Sequence, residues 1–407
     1  MFLSLLPSPL DIVITFVVGA IIGGQVNRGI YRLAIEQSLI SPWSATPEGL
    51  SVRSWLDRIP IIGWFRLQRE SKEHGDGFWL RPLLIELGMA VGLAYLYVCE
   101  MDGQLSVSTK VTPDILEAQY LVHVLLISLM MVATFIDFDE KTIPDAITVP
   151  GTLIGLILVS AFPAVRPLET IAGVAEWVII NSPKRPWPDS LSQQFGLAIG
   201  CMCFAGWCLA IMPKTVTLKR GPWKAVQYLL ASSYRYGKPW MLMAVVGCAA
   251  IGGAWYFLRN TVHWEGLLTG LVGMAFAGGL IWAVRIIGWV ALRKEAMGFG
   301  DVTLMAMIGV YLGWQSSILI FFMAPFSAVF ISLMQWLLTG KREIAFGPYL
   351  CLGTLFIICR WPGVWDNWAK DFYVLGWYIP KMLACSLLAM GGMLSLWRLF
   401  ESWLYPD

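Results

Sequence analysis

The stretch Gln119-Tyr-Leu-Val-His-Val-Leu-Leu-Ile-Ser-Leu-Met-Met-Val-Ala-Thr-Phe-Ile-Asp137, followed at once by Phe138-Asp-Glu-Lys-Thr-Ile-Pro-Asp145, decides the fold. About twenty apolar residues at a rise of 1.5 Å each cross a hydrocarbon core, so 119–136 reads as a membrane-spanning helix that ends on a carboxylate. A carboxylate at that depth costs several kcal/mol unless something pairs or uses it, which makes it a functional-site hypothesis. A second carboxylate stands in a similar place, in Met297-Gly-Phe-Gly-Asp301. Two such groups suggest acid/base chemistry.

Working outward, the rest of the chain has the same character. Its 407 residues are 57% hydrophobic and only 14% charged, with 21 Trp and 39 Gly, whereas soluble domains average about 25% charged. That excludes an ordinary soluble domain and leaves an all-α, polytopic transmembrane bundle; nothing in it points to nucleic acid. Eleven apolar runs are candidate spans, near Leu10–Ile30, Pro82–Cys99, Gln119–Ile136, Ile143–Phe162, Phe195–Met212, Pro239–Phe257, Gly266–Leu292, Val302–Trp314, Ser316–Leu338, Phe346–Cys359 and Phe372–Trp397. The eighth and tenth are short.

Basic residues accumulate on the cytoplasmic side of short loops. With the N-terminus periplasmic, 20 of the 29 Lys and Arg fall on the inner side and 7 on the outer, and eleven spans place the C-terminus in the cytoplasm. The same count puts Asp137 after the inward-going third span and Asp301 after the inward-going seventh, so the two carboxylates share the cytoplasmic face. The first apolar run lacks a basic flank and continues into Gly23-Gly24-Gln25-Val26-Asn27-Arg28, so it reads as a retained span, not a cleaved signal. The inner loop 31–81 holds Trp43, Trp55, Trp64 and Trp79 and is expected to be a small ordered interfacial unit, folded by aromatic packing and interfacial anchoring alone.

Several ordered segments now carry a resemblance. Gly19-Ala-Ile-Ile-Gly-Gly-Gln-Val-Asn-Arg-Gly-Ile-Tyr-Arg-Leu33, Trp55-Leu-Asp-Arg-Ile-Pro-Ile-Ile-Gly-Trp64 and Arg81-Pro-Leu-Leu-Ile-Glu-Leu87 resemble the opening of type IV prepilin leader peptidases. Ile136-Asp137 with Ile143-Pro144-Asp145 resembles the family's first aspartate region, and Gly298-Phe299-Gly300-Asp301-Val302 its GxGD motif. Leu304 to Trp314 and Ala345 to Gly353 continue in family order. The resemblance covers roughly 15–160 and 265–355. It implies an aspartic endopeptidase of the bacterial inner membrane that cuts the basic leader from type IV prepilin or type II secretion pseudopilin precursors, after a glycine and at the cytoplasmic face.

The chemistry can be argued from the residues themselves. Peptide hydrolysis by paired aspartates needs one carboxylate to take a proton from water and one carboxyl to give a proton to the carbonyl oxygen or the leaving amine. Like charges a few ångströms apart do not both ionise cheaply, so the pair shares one proton and its titration belongs to the dyad. Neither role is assigned to Asp137 or Asp301 individually. Gly298 and Gly300, lacking a Cβ, let a peptide backbone or neighbouring helix approach Asp301; the plainer reading is that they end the seventh span.

Other residues support the site or compete for it. Glu86 and Asn27 lie at matching depth and either touch substrate or are satisfied by a neighbouring helix. Asp139, Glu140 and Asp145 form either a carboxylate cluster for a divalent cation or a solvated edge turn, with Pro144 and Asp145 starting the fourth span. The second reading is adopted, so no metal is expected. His74, His123 and His263 are scattered, and the eight cysteines, Cys99, Cys201, Cys203, Cys208, Cys248, Cys351, Cys359 and Cys385, lie in or beside spans. The basic stretch Pro213 to Lys238, with Trp223, Tyr228, Tyr234 and Tyr236, is expected to lie on anionic lipid.

Two departures from the family matter. Its first inner loop often holds two Cys-x-x-Cys pairs, and this loop has no cysteine; Thr303 stands where lysine is usual. Peptidase activity needs no cofactor, and S-adenosylmethionine is implied only if N-methylation of the new amino terminus is retained. The organisation expected is 1–100 with the inner loop, 101–162 with the first aspartate, an insertion 163–264, a GxGD core 265–359 and an extra carboxy-terminal span 360–407. An ion-coupled transporter or a non-catalytic assembly scaffold are the other classes compatible with two membrane-edge aspartates.

Overall fold

The structure, a computed structural model, describes residues 9–35, 41–44, 46, 52–103, 111–171, 173–184, 186–212, 237–293, 297–339 and 345–404, with isolated positions between 223 and 235. Its helices are α1 (Leu10–Leu33), α2 (Leu80–Met101), α3 (Pro113–Glu140), α4 (Asp145–Ala161), α5 (Gln194–Ile211), α6 (Lys238–Leu258), α7 (Val262–Leu292), α8 (Phe299–Thr339), α9 (Gly347–Val364) and α10 (Tyr378–Leu404), with short turns between. Among the described residues, eight helices are long and apolar enough to cross a membrane, and α4, at 17 residues, is a shorter apolar helix. Every apolar run seen in the sequence is helical, yet the runs and the eight helices do not correspond one to one. The eighth and ninth runs merge into α8, and neither α4 nor α9 qualifies by length and composition. The basic stretch Pro213 to Lys238 lies mostly outside the described residues, including Tyr228, Tyr234 and Tyr236; Trp223 is exposed.

Small residues set the helix contacts. Gly19 and Gly23 of α1 press on the α2 backbone, where an added Cβ would stand 2.9 Å from the Cα of Ala90 and 2.7 Å from that of Glu86. Without a hydrophobic force between helices in lipid, such close approach is what van der Waals packing rewards. The first arm of α8, Val302 to Gly313, is buried without interruption. Gly313 then breaks the helix at φ 84°, ψ 173°, a conformation that a side chain disfavours.

The bundle has two distinct ends. Away from the aspartates, residues 163–184 form an ordered cap with the antiparallel hairpin β1 (Leu168–Ile171) and β2 (Val174–Trp177), the one departure from helix among the described elements. Side chains from several helices bond to its backbone: Gln119 Nε2 to Arg166 O at 2.8 Å, Gln315 Nε2 to Ile179 O at 2.7 Å, Trp314 Nε1 to Ile180 O at 2.8 Å and Trp361 Nε1 to Leu168 O at 2.7 Å. These bonds satisfy buried amide and indole donors that lipid would leave bare.

At the aspartate end sits the loop unit 52–79. Trp64 and Leu67 pack on Leu83 of α2, with Ile61, Phe78 and Trp79 around them. Aromatic packing is only part of what holds it, which corrects the sequence expectation. Arg53 grips Glu70 through two bonds of 2.9 and 2.6 Å with both side chains buried, and Asp57 takes Arg66 at 2.7 Å and Arg69 at 2.8 Å. Trp43 and Trp55 are exposed. One buried ion pair and two half-exposed arginines on a buried aspartate therefore staple a loop that has no cysteines. Neither a buried bidentate pair nor its partner spacing is visible as a sequence period.

Candidate active site

Asp137 lies in the last turn of α3, whose end is fixed by Lys141 in the left-handed conformation (φ 57°) with its N–H on Asp137 O. The carboxylate is 5% exposed and its Oδ2 accepts the Gly347 N–H at 3.0 Å. Gly347 opens α9, so the bond is made by one of the orphan donors of a helix N-terminus, a natural partner for an anion. Glycine spares both neighbours here: a Cβ at 347 would be 2.6 Å from Asp137 Oδ2 and 2.9 Å from Ile143 Cδ1, so those side chains would have to shift.

Asp301 stands in the first turn of α8 and is also 5% exposed. It is the third residue of α8, one turn from the Gly298 that precedes the helix. Its Oδ1 is buried with no hydrogen-bond partner among the described residues. Gly300 packs on the loop that follows Asp137, where a Cβ would sit 2.8 Å from Ile143 Cβ and 3.0 Å from Ile143 N. Ile143 therefore touches the Asp301 turn on one side and the Asp137–Gly347 contact on the other. Asp301 lies within range of the Asp137 charge, and the buried Cys351, one turn into α9, lies near both.

The remaining sequence candidates divide clearly. Gly298 and Gly300 flank Asp301 as expected, Gly298 within ordinary contact of its carboxylate. Asp145 is exposed in the first turn of α4. Glu86 is not free for a ligand: its carboxylate accepts Ile61 N at 2.6 Å, Trp64 Nε1 at 2.8 Å and Asn27 Nδ2 at 3.2 Å, tying the loop unit to α1 and α2. Ile61 makes this contact from a strained three-residue turn, φ 66° and ψ −60°, closed by Ile62 N on Pro60 O at 2.7 Å. Asp139 pairs with Arg81 at 2.8 Å, and Glu140 caps Ile35 N at 2.9 Å. Among the described residues, no three His, Cys, Asp or Glu form a group that could hold a metal ion.

Three neighbours were not singled out in the sequence. Gly347 and Cys351 belong to a segment whose order along the chain was recognised but whose contact with Asp137 depends on tertiary packing. Arg285 of α7 places its charge near Asp301 and its guanidinium 5.6 Å from the Phe299 ring centre. It is a cation beside the GxGD turn in a chain whose Thr303 is instead buried, with its hydroxyl on Gly300 O at 3.0 Å.

Membrane helices that place two buried carboxyls at one end of a bundle define an integral membrane protein with a candidate acid pair. The profile of the type IV leader peptidase family matches residues 223–333, and that of the bacterial peptidase A24 N-terminal domain matches 17–99. The prepilin leader peptidase/N-methyltransferase of Myxococcus xanthus is 32% identical over 155 residues, 38% of this chain and 42% of that protein. Those of Escherichia coli K12 and Pectobacterium carotovorum are 36% identical over 84 residues (20% and 37%) and 34% over 114 residues (24% and 40%). The matches span about two fifths of the relatives' length, and no solved structure matches.

Two segments of the chain thus match the type IV leader peptidase family, and the chain is a multi-pass protein of the inner membrane. Asp301 lies inside one matched segment and Glu86 inside the other; Asp137 and Gly347 lie outside both.

Proposed function

We propose that this protein is an aspartic endopeptidase that removes the leader from type IV prepilin or type II secretion pseudopilin precursors, with Asp137 and Asp301 as its catalytic dyad. The observation that supports this reading is the packing of both aspartate turns around Ile143, with one buried carboxyl on the N–H of Gly347 and the other with an oxygen left without a partner among the described residues. One carboxylate takes a proton from a water whose oxygen adds to the scissile carbonyl carbon. The other carboxyl gives its proton to the carbonyl oxygen, and collapse breaks the C–N bond as the amine takes up a proton. The proton is shared by the pair, so the acid and base roles stay with the dyad as a unit.

The approach of substrate follows from the same packing. Gly300 uses its missing Cβ to pack on Ile143, and Gly298 leaves open space beside Asp301 for an unwound peptide. Glu86 and Asp145 act as support, the first through the loop unit and the second at the start of α4. We also infer eleven spans with the N-terminus periplasmic, the C-terminus cytoplasmic, and the chain reversing at Gly313. The bonds of Trp314 and Gln315 to the cap, set against the position of Asp301 at the other end of the same arm, favour that reversal.

The relatives' names also include N-methyltransferase. The methyl donor expected of that activity is S-adenosylmethionine, and the cavity beside the loop unit is too small for it. The cavity beside the loop unit is about 160 Å³, below the roughly 300–1,000 Å³ of pockets for ligands of that class. No step is routed through it.

To test the peptidase reading, the full chain with Asp137→Asn or Asp301→Asn is reconstituted in membranes with a prepilin precursor and cleavage is followed by mass. Loss of cleavage in both is expected. Full cleavage by either variant would remove the dyad.

A further inference from the structure

The cavity between α1 and the loop unit makes a specific chemical demand. Among the residues lining it are Asn27, Arg28, Tyr31, Trp43, Arg58 and Glu86. Asn27 is 3% exposed, and its Nδ2 donates to Pro82 O at 2.9 Å and to Glu86 Oε1 at 3.2 Å. Both partners only accept, so the amide can sit only one way round. Its Oδ1 is then a buried acceptor with no hydrogen-bond partner among the described residues, on a residue that lines the cavity. It requires an N–H or O–H from whatever fills the space.

The charges around this acceptor narrow the choice. Next to it is the Glu86 carboxylate, which favours a cationic donor. At the exposed rim are Arg28 and Arg58, the latter with its guanidinium 5.2 Å from the Trp43 ring centre, which favour an anion. A group with an ammonium at one end and an anion at the other meets both. The apolar face of α1 leads to the same place: Val13, Val17, Val18 and Ile21 are 45–54% exposed, and Ile21 lines the cavity. Such a face, on a membrane helix, lies against acyl chains.

We propose that this cavity binds a phosphoethanolamine headgroup, supplied by a membrane phospholipid whose acyl chains lie along α1. The ammonium donates to Asn27 Oδ1 beside Glu86, and the phosphate turns to Arg28 and Arg58. A volume of about 160 Å³ accommodates a group of that size. The bound headgroup supplies the donor that Asn27 lacks and closes the seam between the first helix pair and the loop. The proposal is independent of the peptidase reading.

Choline and ethanolamine lipids carry the same charges, but only ethanolamine has N–H to give, and glycerol headgroups have no ammonium. The purified full chain is therefore exposed to equal amounts of the three lipids with matched acyl chains, and retained lipid is identified by native mass spectrometry. One ethanolamine lipid should be retained about tenfold over the choline lipid, the ratio expected of a single hydrogen bond to a charged group. Asn27→Leu should abolish this preference. Because Asn27 also joins α1 to α2, the exposed double variant Arg28→Gln/Arg58→Gln is measured too, and should lose retention while melting with the parent. Displacement by soluble glycerophosphoethanolamine would identify a free headgroup as a sufficient source; resistance to it would identify the lipid. Equal retention of ethanolamine and choline lipids, or a cavity holding water only, overturns the proposal.

Discussion

Two regions of this protein bury pairs of carboxylates, and they treat them in opposite ways. In the loop unit, Asp57 and Glu70 are fully covered, and each is held by arginine: Glu70 by Arg53, Asp57 by Arg66 and Arg69. In the bundle, Asp137 and Asp301 are nearly as deeply buried, yet the hydrogen bond that Asp137 receives comes from the backbone of Gly347. One oxygen of Asp301 has no hydrogen bond. A buried charge locked to a cation is spent on structure. A buried carboxyl with an oxygen in reserve is the kind of group that chemistry can use, and the proposed dyad rests on that difference.

The comparison breaks most decisively at the dyad. Asp137→Asn and Asp301→Asn should each lower precursor cleavage by about 10³-fold, within the range of acid–base catalysis. The double variant should be no worse than either single one, because residues that act as one unit are not additive. Cleavage rates of the four proteins under single-turnover conditions check this. Multiplying losses would mean that the two carboxyls work apart.

Loss of an arginine clamp should be the next largest effect, and it should fall on stability. Glu70→Ala leaves Arg53 buried and unpaired, which costs about 3–5 kcal/mol. Limited proteolysis should then cut within 52–79 while the helices stay resistant. Gly347→Ala should act the other way, on activity: its Cβ would fall 2.6 Å from Asp137 Oδ2, displacing the carboxyl. A displacement of that kind costs up to about 10²-fold in rate, with little change in melting.

Acid should separate the two regions as well. Burial pushes the Asp57 carboxyl up, but bonds from Arg66, the Ser54 N–H and Arg69 outweigh it and hold Asp57 well below the usual carboxylate range. A depressed folded value means that the stabilisation is complete above the ordinary carboxylate range and is lost as pH falls through the folded value. Hydrogen exchange of residues 54–69 should therefore accelerate on acidification below about pH 4. In Asp57→Asn that acid dependence should be flattened and exchange faster already at neutral pH.

How much of this was legible depends on the range of the interaction. Helix positions followed from apolar runs, because in lipid every backbone group must be satisfied within its own helix. The placing of Asp137 and Asp301 at one end followed from counting those runs. Gly347 could not be found that way: it lies 210 residues from Asp137, and its N–H matters only because α9 starts against the end of α3. The Arg53–Glu70 clamp was hidden for a related reason, since four arginines and a lysine in one loop look alike until burial selects one. The merging of two runs into α8 also escaped, because a glycine at φ 84° continues a chain as readily as it ends a helix.

The smallest effect sharpens the comparison from the outside. Asp139, two residues from Asp137, forms an ion pair with Arg81 at 2.8 Å, with side chains 38% and 40% exposed. Solvent screens such a pair, so it should contribute only about 0.2–1 kcal/mol. Successive residues but one do not share a helix face, which is why Asp139 points away from the site that Asp137 enters. Asp139→Asn should accordingly leave cleavage within about twofold of the parent, since a half-exposed pair remote from the reacting atoms has little to withdraw. If Asp139→Asn matched the loss in Asp137→Asn, the partner of Asp301 would have been misassigned. The distinction between spent and available carboxylates would then have to be drawn two residues further along the chain.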